Sequence, residues 1–124
     1  MTTAVTHGIS ADLRGFRRVQ RLAYECAEAV AARLEPGVTE REAARMQREW
    51  LSERGVKDWF HLPFAWFGDR TAFTDFRIPL QFFPTNRRLE PGMPYILDMA
   101  PVLEGYTADI GYSGALGAHP VQER

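Results

Sequence analysis

Two aspartates, Asp98 and Asp109, stand in otherwise apolar segments, Tyr-Ile-Leu-Asp98-Met-Ala and Tyr-Thr-Ala-Asp109-Ile. A short turn at Leu103-Glu104-Gly105 lies between them, so the two segments read as an antiparallel hairpin. With the turn centred near Leu103-Glu104, Asp98 and Asp109 would face each other directly, their side chains on one face about 5 Å apart. Like charges so placed repel unless something neutralises them. A divalent cation is the simplest neutraliser, and two carboxylates can bridge a pair of hard cations. The alternative is that one Asp caps a turn and the other pairs with one of the fourteen arginines.

Other reactive residues are few. His61 lies among aromatics, where it either packs or lines a pocket; Trp66 and Phe76 are the aromatic candidates for the same substrate pocket. His7 and His119 fall near the chain ends and are expected to be exposed. The single cysteine, Cys26, sits on the inward stripe of a helix and reads as a packing residue rather than a nucleophile. Gly111, Gly114 and Gly117 lack the Lys-Ser/Thr ending of a phosphate loop, and no His-Glu-x-x-His or Gly-x-Ser-x-Gly run occurs.

Two helices must come first. Phe16, Val19, Leu22, Cys26, Val30 and Leu34 recur at helical spacing, with arginines and glutamates largely off that stripe, and Pro36-Gly37 ends the segment. Thr39-x-x-Glu42 is a capping box for a second helix whose inward stripe is Ala43, Met46, Trp50 and Leu51, with Gly55 closing it. Six prolines from Pro63 to Pro101 exclude a long helix thereafter. Trp59–Leu62, Ala65–Phe67 and Ala72–Phe73 read as short strand pieces, and Tyr95–Met99 and Tyr106–Tyr112 as better strands. The fold class is therefore α+β, two N-terminal helices followed by short antiparallel strands. The domain spans 13–117, with a loose arm over 1–12 and a tail over 118–124.

Composition narrows the function classes. The chain has 124 residues, 45% hydrophobic and 25% charged, with a net charge of −1. That balance argues against a protein that neutralises many phosphates of a nucleic acid, and against a polybasic membrane-surface protein. One cysteine excludes an intramolecular disulfide framework. No long apolar run and no secretory pattern is visible, so a cytoplasmic location is expected. Nine of the fifteen aromatics crowd into Trp59–Phe83, where they wall a pocket or an interface, or serve as ordinary core.

The run Leu89-Glu-Pro-Gly-Met-Pro-Tyr-Ile-Leu-Asp98, followed eleven residues later by Asp109 with Gly-Tyr upstream, resembles the first metal-ligand segment of the pita-bread metallopeptidases. These comprise the methionine aminopeptidase, aminopeptidase P, prolidase and creatinase family, peptidase M24. The two helices and their Leu-Glu-Pro-Gly-Val-Thr link are similar to the start of that fold, so the resemblance covers nearly all of Leu13–Tyr112. It implies an aminopeptidase or Xaa-Pro peptidase type of hydrolase acting on a peptide or small amide. It implies Asp98 and Asp109 as two of five ligands to two divalent metals (manganese, cobalt, iron or zinc), Asp98 binding one ion and Asp109 bridging both.

The resemblance has departures. A His and two Glu would come from a second half that these residues do not contain. Phe76 stands before Arg77-Ile78-Pro79, where methionine aminopeptidases place a His before Gly-Ile-Pro, and Asp109-Ile-Gly-Tyr-Ser113 replaces the Asp-Ile-Thr-Arg-Thr run of the prolidase branch. The chain is thus expected to be an incomplete metallopeptidase, weak or inactive alone, or a piece of a longer enzyme. The other reading is a non-catalytic binding or dimerisation module, half of the fold, whose partner is a second copy or a complementary C-terminal half.

Overall fold

The computed structural model describes residues 2–74 and 76–117, with side chains from residue 13 onward. The exposed positions expected for the His7 and His119 side chains, and the tail over 118–124, lie outside the described residues.

The first helix, α1, spans Thr2–Ala31. This corrects the expectation of a loose arm over 1–12: no proline interrupts those residues, and extending a helix already nucleated costs little per residue. Val19, Ala23, Cys26, Ala27 and Val30 form its fully buried stripe. The second helix, α2, spans Glu40–Ser52. Its cap is Thr39, whose hydroxyl accepts from the Glu42 amide at 3.1 Å. The Glu42 carboxylate turns back to that same hydroxyl, 3.1 Å away, rather than to the Thr39 amide. Gly55 takes a positive φ of 95°, as expected just beyond a helix end.

Four strands make one antiparallel sheet: β1 Asp58–Phe67, β2 Pro94–Leu103, β3 Tyr106–Thr107 and β4 Ile110–Ala115. Strand β2 is central, with β1 on one side and β3 and β4 in line on the other. The pieces expected at Trp59–Leu62 and Ala65–Phe67 join into one strand, whereas Ala72–Phe73 is not a strand. A 3-10 turn over Gly68–Ala72 replaces it, ended by Phe73 in the left-handed region at φ 57°.

The β2–β3 turn is Glu104-Gly105, both with positive φ (53° and 85°), the geometry whose twist matches the flanking strands. The turn is therefore centred one residue later than its expected centre over Leu103-Glu104, and Asp98 faces Gly111 instead of Asp109. Between β3 and β4 the ladder lapses at Ala108-Asp109. Ala108 donates to the Pro101 carbonyl at 3.1 Å, and Pro101 has no N–H to return the bond.

Both helices pack on one sheet face, burying Ala65, Phe67, Leu97, Met99, Ala108 and Ile110 with the α1 stripe, Ala43 and Leu51. Each large apolar side chain so buried contributes roughly 1.5–3 kcal/mol. The opposite face carries His61, Phe64 and Trp66 from β1 and Asp98 from β2, and the 68–84 segment crosses part of it. That segment is anchored by Glu40, a fully buried carboxylate at the start of α2. Glu40 accepts from the Phe67 amide, Arg70 Nε, and the Thr85 amide and hydroxyl, at 2.7–3.1 Å. Arg70 in turn donates to the carbonyls of Gln81 and Phe83. No helix among the described residues is long and apolar enough to cross a membrane.

Candidate metal centre

Strand β1 does not pair evenly with β2. Its register shifts twice, between Trp59 and His61 and again between His61 and Phe64. Pro63 sits in the second irregularity and has no N–H for the ladder, which is where a proline fits inside a strand. In a straight strand His61 and Phe64, three positions apart, would point to opposite faces. The bulge brings both to one face, where their rings stack 4.9 Å apart at 11°. Re-aiming a side chain in this way is a common outcome of a β-bulge.

Register then assembles the centre. His61 pairs with Ala100 and Phe64 with Asp98 across the β1–β2 edge. The β2–β4 register extended past Met99 and Ile110 places Asp109 beside Ala100 from the other side. Asp98 and Asp109 therefore share a face as diagonal rather than direct neighbours, with His61 opposite. His61 Nε2 lies 3.1 Å from Asp98 Oδ1 and 3.5 Å from Asp109 Oδ1. One donor atom from each of the three residues falls within 4.8 Å of the others. Asp98 and His61 are about a quarter exposed and Asp109 is 59% exposed, so the centre opens to solvent on the Asp109 side.

Burial pushes the Asp98 carboxyl above its ordinary range, His61 opposes that shift, and the nearby Asp109 adds to it. The imidazole orientation is set from its other nitrogen: Nδ1 lies 2.8 Å from the Leu62 carbonyl. A carbonyl only accepts, so Nδ1 carries the proton of that bond, and in the neutral ring Nε2 presents a lone pair to two carboxylates. Three electron-rich atoms facing one another are relieved by a shared cation or a proton. Donors bound about 2.1 Å from one ion at angles near 90–110° sit about 3–3.5 Å apart, and the His61–Asp98 and His61–Asp109 separations match that spacing. The donor types, one imidazole nitrogen and two carboxylates within 4.8 Å of one another, suit a divalent ion.

The aromatic residues expected to line a pocket are distributed along this face. Trp66 is buried and donates from Nε1 to the Phe82 carbonyl at 2.8 Å. It reaches His61 through the Phe64 ring, 5.5 Å away. Phe76 stands further off, packed edge-on against Phe73 and Phe82 beneath the Arg70 guanidinium. A cavity of about 320 Å³ is walled by Leu62, Pro63, Phe64 and Phe83, with Arg45 and Arg48 from α2, and Phe64, stacked on His61, stands between it and the centre. Sequence reading missed Phe64, the Leu62 carbonyl and these arginines. The one available signal was Pro63 within an otherwise strand-forming run.

Comparison with known proteins follows the same lines. Residues 14–124 match the profile of Metallopeptidase family M24. Among solved structures, the chain is similar to the X-Pro aminopeptidase of Thermotoga maritima, with a TM-score of 0.75 and 16% identity over 92% of this chain and 31% of that one. It is similar to the Xaa-Pro dipeptidase of Bacillus anthracis, with a TM-score of 0.75 and 19% identity over 91% and 31%. The prolidase of Pyrococcus horikoshii gives a TM-score of 0.75 and 18% identity over 90% and 30%. At these identities the likeness is one of fold, and the chain spans about a third of each of these structures. No curated protein sequence matches the chain.

Proposed function

Because the chain belongs to metallopeptidase family M24, we propose that it carries the first part of a divalent-metal site for hydrolysing a peptide or small amide, with Asp98 and Asp109 as ligands. The observation that supports this most directly is their convergence on one open sheet face, with the His61 nitrogen within 3.5 Å of both. A divalent ion held there supplies Lewis-acid polarisation of a carbonyl and a water nucleophile at neutral pH. The chain's own residues would hold the ion, and Phe64, whose ring stacks on His61, also lines a cavity with Phe83, Arg45 and Arg48. Two of the similar solved structures are named for X-Pro and Xaa-Pro substrates, so Xaa-Pro dipeptides are the first substrates to try.

The family pattern calls for five ligands, and the resemblance assigns Asp98 and Asp109 two of those places. We therefore expect little or no turnover from the 124-residue chain alone. Calorimetric titration with Mn²⁺ tests the ligand assignment: saturable binding that Asp98→Asn abolishes supports it, and equal binding by parent and variant refutes it. Chelator-sensitive hydrolysis of Xaa-Pro dipeptides by the purified chain would overturn the expectation of inactivity.

A second reading has its own observation. Phe60, Ile78, Leu80 and Phe83 are each at least half exposed, an apolar surface suited to covering by another polypeptide. On this reading the chain is an assembly module that pairs with a second copy or a complementary half. Light scattering after size exclusion decides it: a monomer at all concentrations removes the homodimer.

A further inference from the structure

The ligand set implied by the family resemblance draws its histidine from beyond the described residues, and His61, upstream of both aspartates, has no place in it. We propose that His61 Nε2 is itself a metal ligand, so that His61, Asp98 and Asp109 form a one-nitrogen, two-oxygen site for a single divalent cation within this chain. The inference rests on Asp98 and Asp109 being ligands, as proposed above.

Four observations converge on His61. The double irregularity in β1 turns it onto the aspartate face. The Phe64 ring lies flat against it and fixes its plane. The Leu62 carbonyl accepts a hydrogen bond from Nδ1–H at 2.8 Å, the second-shell contact that orients a ligating imidazole and sets its tautomer. Nε2 then faces Asp98 and Asp109 at 3.1 Å and 3.5 Å. The nitrogen shifts the preference of the site: two carboxylates alone suit magnesium or calcium, whereas an added imidazole favours the iron, cobalt and zinc group.

The competing role for His61 is a charged imidazolium that pairs with the carboxylates and repels a cation. The two roles predict opposite signs for one substitution. If His61 ligates, His61→Gln weakens Co²⁺ binding by about tenfold or more, at least the effect of losing a second-shell partner. If His61 is a counter-cation, the same substitution tightens Co²⁺ binding, which overturns the proposal.

A second measurement does not depend on that variant folding. In the His7→Gln/His119→Gln background, His61 is the only imidazole of the chain. One equivalent of Cu²⁺ in that protein should show imidazole-nitrogen modulation in pulsed EPR. Binding that Asp98→Asn abolishes, yet without nitrogen modulation, overturns the role of His61 while leaving the aspartate ligands standing. Absence of any saturable Co²⁺ or Cu²⁺ binding overturns both.

Discussion

Glu40 and Arg70, thirty residues apart, meet in an ion pair whose carboxylate is wholly buried and whose Nε lies 2.8 Å from Oε2. The pair joins the first turn of α2 to the segment that crosses the open sheet face. Removing one partner of such a pair strands the other, at a cost of roughly 3–5 kcal/mol. Glu40→Ala also leaves the Phe67 and Thr85 amides unpartnered. Urea titration should therefore show Glu40→Ala largely unfolded or far less stable than the parent, with Glu40→Gln in between. A shift below about 1 kcal/mol for Glu40→Ala would show that water takes over these bonds.

Asp98 ties stability to pH in the metal-free chain. Burial raises its carboxyl in the folded state, so the folded chain holds that proton to higher pH than the unfolded chain does. In that window the native state binds more protons, and stability falls as pH rises above the ordinary carboxylate value of about 3.9. Asp98→Asn removes this contribution. In the presence of a chelator the Tm advantage of the Asn variant should grow as pH rises from about 4, then level off. A divalent cation should reverse the order, because only the parent retains both carboxylates to bind it.

Cys26 should be inert in the folded chain. It is fully buried, burial pushes its thiol up to about 12, and its Sγ points to the Gln47 carbonyl at 3.6 Å. The thiolate is the reactive form, on the order of one part in ten thousand at pH 8. Labelling with Ellman's reagent should follow the urea unfolding curve. Rapid labelling of the native chain would place the thiol in an accessible site instead.

Gly15 tests packing against propensity. Alanine inside a helix normally gains about 1 kcal/mol over glycine. Here a methyl at Gly15 would come within 2.5 Å of the Tyr106 ring, and overpacking of that kind costs typically 1–3 kcal/mol. The clash should win, so Gly15→Ala lowers Tm in thermal denaturation. Gly15→Ala combined with Tyr106→Ala removes the clash, and the alanine should then be neutral or favourable relative to Tyr106→Ala alone.

Some of this architecture is legible in the residues themselves. The stripe from Val19 to Val30 and the Thr39–Glu42 cap are local patterns, and local patterns survive folding. The shared face of Asp98 and Asp109 was also readable, because a two-position change of pairing preserves which face a side chain takes. Their pairing was not: Glu104-Gly105 lacks the Asn-Gly or Asp-Gly signature that marks a two-residue turn, so the expected centre fell one residue early. The helical start of α1 ahead of residue 13 was not legible, because those residues carry no apolar stripe at helical spacing. His61 was the hardest case. Alternation along a strand sets it on the opposite face from Phe64, and only a backbone irregularity, which depends on how β2 lies alongside, reverses that assignment.

The bulge at Leu62-Pro63 also decides which kind of atom faces the aspartates. Alternation has a phase, and the bulge resets it. Were β1 to run straight from Phe64, Leu62 would stand opposite Ala100, and His61 would turn toward the helices. A hydrocarbon and an imidazole thus compete for one place, and the backbone selects between them. Deleting one residue between His61 and Phe64 would heal the bulge and leave His61 opposite Ala100, whereas straightening the strand at full length would exchange the two side chains. The chemistry of this face can therefore be switched by a change in strand length or straightness that leaves His61, Asp98 and Asp109 all in the sequence.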